Sequence, residues 1–224
     1  MKNHFLKCSG LSFLGLLTGV ALLATPVNAV AKSHLTPTGI TAEQCYQSDS
    51  AYFVKCDTDG AIALSGAGKQ DGMRAGKLSY SKVGNYALEE CVQDNITGLM
   101  WEGKMPAGSN SPRASDRTFT QYGDKREGDA SAYVEQVNRE GLCGFKDWRM
   151  PTKHELQSIV DYSKSYPGPV VDTVWLVNTA SRGYWAADPT VDYPYHSWCV
   201  YFEYGYVDSY RRSHGFAVRL VRGG

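Results

Sequence analysis

The sequence has no excess of charge: 23 Lys and Arg stand against 23 Asp and Glu in 224 residues. That balance excludes the basic, phosphate-neutralising surface on which nucleic-acid affinity depends, and it favours no partner by bulk electrostatics. Long apolar runs are equally scarce. The run from Leu11 to Thr25 contains Gly15 and Gly19 and stops at Pro26, short of the ~20 residues that a membrane span requires. Gly-X-Y triplets and internal repeats are missing, so no collagen stem and no solenoid is encoded. Metal and nucleotide motifs are incomplete. His154-Glu155 would need a second His where Ser158 stands. Ser65-Gly66-Ala67-Gly68-Lys69 has misplaced glycines for a phosphate loop, and Gln70 occupies the place of its hydroxyl. Spacing assembles no nucleophile with a base and an orienting group, so the chain reads as a non-enzyme without metal or cofactor.

The N-terminus carries an address. Lys2, His4 and Lys7 precede the apolar run, and Val27-Asn28-Ala29 places small residues where a signal peptidase reads. Residues 1–29 are therefore expected to be a signal peptide, with Ala29-Val30-Ala31 as a second acceptable cleavage site. Removal leaves no further spanning segment and a slightly acidic product. It also leaves Cys45, Cys56, Cys91, Cys143 and Cys199 in an oxidising compartment, where disulfides are the default. Spacing alone does not choose among the pairings. The expected pairs are Cys45 with Cys56, closing a short loop, and Cys91 with Cys143, joining the start of the main domain to the end of its first helix. Cys199, between Trp198 and Val200, is then a buried small hydrophobe.

Three segments follow from the punctuation: the signal peptide, an extended leader and small disulfide-pinned preface over 30–85, and a main domain over 86–224. In the main domain, Cys91-Val92-Gln93 and Leu99-Met100-Trp101 flank Asp94-Asn95-Ile96-Thr97-Gly98, a tight reversal between strands. The polar stretch from Lys104 to Asp129 reads as a surface excursion. Asp129 can cap a helix over Ala130 to Arg139 that Gly141 stops, with Ala130, Tyr133, Val134 and Val137 on its apolar face. Pro151-Thr152-Lys153-His154-Glu155 is a capping box, which assigns Glu155 to structure and not to base catalysis, and Leu156, Ile159 and Val160 are the second helix's stripe. From Arg182 onward, Tyr184-Trp185-Ala186, Trp198 to Phe202, Tyr206-Val207 and Phe216 to Val221 read as an antiparallel meander, with Gly205 in a hairpin turn. Helices set before antiparallel strands make the domain α+β.

The run Asp94-Asn95-Ile96-Thr97-Gly98-Leu99-Met100-Trp101, the run Gly144-Phe145-Lys146-Asp147-Trp148-Arg149-Met150-Pro151-Thr152, Glu155-Leu156, Tyr184-Trp185 and the terminal Val218-Arg219-Leu220-Val221-Arg222-Gly223-Gly224 occur in one recognisable order. Over about residues 86–224 the chain resembles the C-terminal domain family of the Legionella collagen-like adhesin. The resemblance implies a C-type-lectin-like fold in an exported protein of a Gram-negative bacterium, in the periplasm, on the outer surface or outside the cell. For the adhesin itself it implies binding of sulfated polysaccharides. The tripeptides that hold calcium in calcium-dependent lectins are missing, since Cys199 and Val200 follow Trp198. Related folds include cysteine-dependent oxidases, which would give Cys199 a catalytic use, but such chemistry needs a second neighbouring thiol.

Within the adhesin-like region, Asp147-Trp148-Arg149 is expected to be structural, a buried Trp with an Asp–Arg pair fixing the entry to the capped helix. Arg219 and Arg222 are expected on the wetter face of the last strand or paired with acids, and Tyr184 and Trp185 half in the core. The ligand candidates are Tyr193, Tyr195 and His196 in one loop and Tyr206, Tyr210, Arg211 and Arg212 around the next turn, beside Tyr204 and His214. Sugars lay C–H faces on aromatic rings, and acidic groups take Arg forks. The expected partner is a polysaccharide, or alternatively a surface protein within an envelope assembly.

Overall fold

The computed structural model describes residues 78–223, together with the backbone of two short paired strands, β1 (Cys45–Tyr46) and β2 (Ile62–Ala63). The signal peptide, the leader and the Cys45–Cys56 pairing lie outside the described residues. Two antiparallel sheets carry the domain. The first runs β3 (Tyr80–Lys82), β4 (Cys91–Asp94), β5 (Met100–Glu102) and β9 (Val221–Arg222), and the second runs β6 (Gly183–Pro189), β7 (His196–Tyr201) and β8 (Val207–Arg211). Two helices, α1 (Ala130–Glu140) and α2 (Lys153–Ser158), precede the second sheet, which makes the domain α+β.

Adjacent residues Cys91 and Val92, Met100 and Trp101, Tyr184 and Trp185, and Cys199 and Val200 are all buried, so β4 to β7 are covered on both faces at these positions. Val92, Trp101, Tyr184, Ala186 and Val200 face one core with Leu156, Ile159 and Val160 from α2 and the turn after it. Cys91, Met100, Trp185 and Cys199 face a second core with Ala130, Tyr133 and Val137 from α1. A strand buried on both faces loses the polar half of its period-2 pattern. Tyr184 and Trp185 are for that reason wholly buried, not half in the core.

Local signals formed the elements they announced. The Asp94 carboxylate accepts from the amides of Ile96 and Thr97 and from the Thr97 hydroxyl, closing the β4–β5 turn. Asp129 caps α1, and Gly141 ends it in the left-handed conformation. The Thr152–Glu155 capping box forms on α2. Cys91 and Cys143 are disulfide-bonded across the second core, pinning β4 to the turn after α1.

Three expectations change. The run Phe216 to Val221 does not complete the meander: only single bridges join Phe216 to Phe119 and Ala217 to Tyr184, after which the chain crosses to the first sheet and pairs with β5. The acid and base of Asp147-Trp148-Arg149 do not pair with each other. Asp147 takes the Arg222 guanidinium in two hydrogen bonds, while Arg149 makes a two-pronged pair with Glu155 and also donates to Gly223 O. Trp148 between them is buried and donates from Nε1 to Leu142 O. Third, Arg219 is not on a wet face but fully buried. It donates to the Glu102 carbonyl at 2.7 Å and the Thr179 hydroxyl at 2.7 Å.

Arg219 belongs to a polar knot between the sheets and α1. The buried Glu102 carboxylate accepts from Lys104 Nζ at 3.0 Å, the Tyr133 hydroxyl and the Leu220 amide at 2.8 Å, with Arg113 Nε 3.6 Å away. Lys104 also donates to Val218 O at 3.1 Å. The excursion from residue 104 therefore sends Lys104 and Arg113 inward while its tip stays at the surface. Burial lowers the Lys104 ammonium's pKa, and the Glu102 charge beside it works in the opposite direction.

Candidate ligand-binding surface

The β7–β8 hairpin organises the exposed aromatics. It turns through Tyr204 and Gly205, where a φ of 84° suits glycine and an added Cβ would come within 3.0 Å of the Tyr162 ring and of Val160. Cys199 opposite Asp208 and Ser197 opposite Tyr210 fix the register. Period-2 alternation then sends Tyr201, Tyr206 and Tyr210 to one side of the hairpin and His196 and Arg211, a directly opposed pair, to the other. The seven sequence candidates are thereby divided into two groups.

On the first side the rings form a row. Tyr206 stacks on Tyr201 at 4.6 Å, Tyr201 meets Tyr210 at 5.7 Å, and Tyr210 contacts His214 at 5.8 Å and Phe216 at 5.1 Å. In the other direction Tyr206 meets Tyr204 at 5.8 Å, and Tyr204 stacks on Tyr166 at 4.8 Å with the planes 4° apart. Tyr166, Tyr204 and Tyr206 are 58%, 51% and 44% exposed. Sequence reasoning missed Tyr166, Tyr162 and Tyr201. The first two sit in a distant loop that docks on the hairpin turn, with Val170 N donating to Phe202 O and the Tyr162 hydroxyl to Gly205 O. No short-range pattern announces that docking.

The phenols of Tyr201, Tyr204 and Tyr206 all have raised pKa values, each first through desolvation, which for the exposed Tyr204 and Tyr206 is only partial. Hydrogen bonding to Tyr210 adds to the shift for Tyr201 and Tyr206, and the Glu203 charge adds to it for Tyr204. They remain neutral hydroxyls, able both to donate and to accept.

On the second side, Tyr193 and Tyr195 flank the His196 ring at 5.5 and 5.1 Å, and Lys153 Nζ lies 4.2 Å over the Trp198 ring. Arg211 is exposed and makes no side-chain hydrogen bond or ion pair among the described residues. Arg212 differs. Its guanidinium donates to Pro194 O at 3.1 Å, Gln121 O at 2.8 Å and the Gln121 side chain, so it fastens two loops together and is spent within the fold.

Cys199 is fully buried, and the burial drives its thiol pKa far above the ordinary value. A thiolate nucleophile is correspondingly disfavoured there. Among the described residues no cluster of three or more His, Cys, Asp or Glu side chains could hold a metal ion, and no helix is long and apolar enough to cross a membrane.

The family model of the Lcl C-terminal domain matches residues 90–222. The chain belongs to that family. The Lcl C-terminal domain is an adhesin-related surface domain, and the Cys91–Cys143 disulfide is consistent with export. No curated protein matches the chain.

Proposed function

We propose that this Lcl C-terminal domain protein is an exported, C-type-lectin-like, non-catalytic binder of polysaccharide. The observation that carries the reading is the row of mutually contacting tyrosines, three of them about half exposed, along the β7–β8 hairpin and its docked loop. Rings that brace one another lose little entropy on binding, and tyrosine offers an apolar face together with a hydroxyl. The reading as a non-enzyme rests on the burial of Cys199 and its raised thiol pKa.

The test is a glycan array with the secreted mature protein, run beside a Tyr204→Ala/Tyr206→Ala variant and a Tyr193→Ala/Tyr195→Ala/Arg211→Ala variant. Polymer binding lost in the first variant supports the tyrosine row, and loss confined to the second moves the site to the other side of the hairpin. A folded protein that binds no polymer refutes the proposal and turns the search toward a protein partner.

A further inference from the structure

The loop that precedes α1 holds a second polar site. Gly108, Ser109, Asn110, Asp116, Arg117 and Thr118 line an open cavity of about 410 Å³, within the size range of small-ligand sites and roomy for one hexose ring. The loop around it is stitched rigid. Gly108 N donates to Asp116 Oδ2 at 2.9 Å, Ser115 N to Met105 O at 3.0 Å and Arg117 N to Ala114 O at 3.1 Å. In the same loop Arg113 is tied to the carbonyls of Glu89 and Gly103, and Ala114 and Ser115 are buried.

While the backbone of this loop is bonded, the side chains at its rim are not. Asn110, Arg117 and Thr118 make no side-chain hydrogen bond or ion pair among the described residues. The Ser109 hydroxyl is shielded from solvent without a partner, and of the Asp116 carboxylate only Oδ2 accepts a hydrogen bond among the described residues. Rigid backbone with unspent hydroxyl, amide, guanidinium and carboxylate groups is a site prepared for a ligand rich in hydroxyls. The cavity lining holds one acid and one base, so it has no net attraction for an anion. A carboxylate oxygen beside an amide and a guanidinium instead matches a vicinal pair of neutral hydroxyls.

A close approach of Gly215 to Thr118 connects the cavity's rim to the segment that packs on the tyrosine row. An added Cβ at Gly215 would lie 3.1 Å from the Thr118 hydroxyl, so the two segments pass in tight contact. The next residue, Phe216, bridges to Phe119 and packs on Tyr201 and Tyr210.

We propose that the Gly108–Thr118 cavity is a subsite for one neutral hexopyranose unit, held by its ring hydroxyls, at the end of the polysaccharide-binding tyrosine row. This rests on the reading of the protein as a glycan binder. The test is NMR titration of the ¹⁵N-labelled full mature chain with methyl glycosides of glucose, galactose and mannose, and with methyl glucuronide as the charged control. The expected result is a dose-dependent shift of the Gly108, Ser109 and Thr118 amides by a neutral glycoside, with affinity at least tenfold weaker in Asn110→Ala and Arg117→Ala. Neither side chain is bonded within the fold, so both variants should keep the wild-type spectrum elsewhere. Asp116→Asn keeps an acceptor for the Gly108 amide and should also weaken binding. Shifts confined to the tyrosine row, or a response to the glucuronide alone, would overturn the subsite while leaving glycan binding standing. No shift anywhere, together with a blank polymer array, would overturn both.

Discussion

Glu102 is the residue whose removal the fold should tolerate least, and the cost can be worked from its contacts. Its carboxylate is fully buried and accepts from Lys104, Tyr133 and the Leu220 amide. It is also the anion that acts on Lys104, on which Arg113 and Arg219 act with the opposite sign. Glu102→Gln keeps the volume but replaces an acceptor by a donor that must face one of these donors. Breaking a buried pair by losing one partner costs about 3–5 kcal/mol. For a domain of this size, that lowers the melting temperature by about 6–20 °C, at about 2–4 °C per kcal/mol. Lys104, already lowered by burial, loses the Glu102 charge, and the charge-assisted hydrogen bond to it, that opposed the shift. Its folded pKa then lies further below its unfolded value, the unfolded chain binds more protons, and stability must rise with pH as the lysine sheds its proton in the native state. The penalty of Glu102→Gln should therefore shrink between pH 7 and pH 10, and Glu102→Leu/Lys104→Met should be more stable than Glu102→Gln alone. Urea denaturation followed by tryptophan fluorescence at pH 7 and pH 9.5 measures both effects. A Glu102→Gln variant within 1 kcal/mol of the parent at pH 7, with no pH trend, would refute the account of the knot.

Three further expectations are independent of the knot. Replacing Cys91 and Cys143 by Ser opens a loop with a sequence separation of 52 and should cost about 4 kcal/mol by loop entropy, read as a lower urea midpoint that matches the reduced parent. Asp129 and Glu155 have pKa values below the ordinary carboxylate range. For both, burial opposes ionisation, but hydrogen bonds from Ser131, Tyr122 and Thr120 to Asp129, and from Arg149 and Thr152 to Glu155, outweigh it. Their stabilisation is complete above the unfolded value of about 4 and is lost as pH falls through the folded one, so the melting temperature should hold from pH 7 to pH 5, drop below about pH 4, and drop less steeply in Asp129→Asn. The buried Cys199 thiol should resist a thiol-reactive dye in the native protein and react fully in denaturant; rapid native labelling would contradict its burial.

The sequence by itself determined what depends on neighbours a few residues apart. The Asp129 cap, the Thr152–Glu155 box, the Asp94 turn and the glycine at 205 each satisfy backbone groups or backbone angles within a turn or so of themselves, so their signals survive in one dimension. Only the tertiary structure decided which distant groups meet. Asp147 chose Arg222 over its near neighbour Arg149, and Arg219 went inward to Glu102 because the last strand leaves the second sheet to pair with β5. The candidate surface shows the same division. Its tyrosines were legible as residue types. That Tyr210 and Arg211 face opposite sides of the hairpin, that Arg212 is spent on Gln121, and that Tyr166 stacks on Tyr204 follow from strand register and loop docking, which no local spacing specifies.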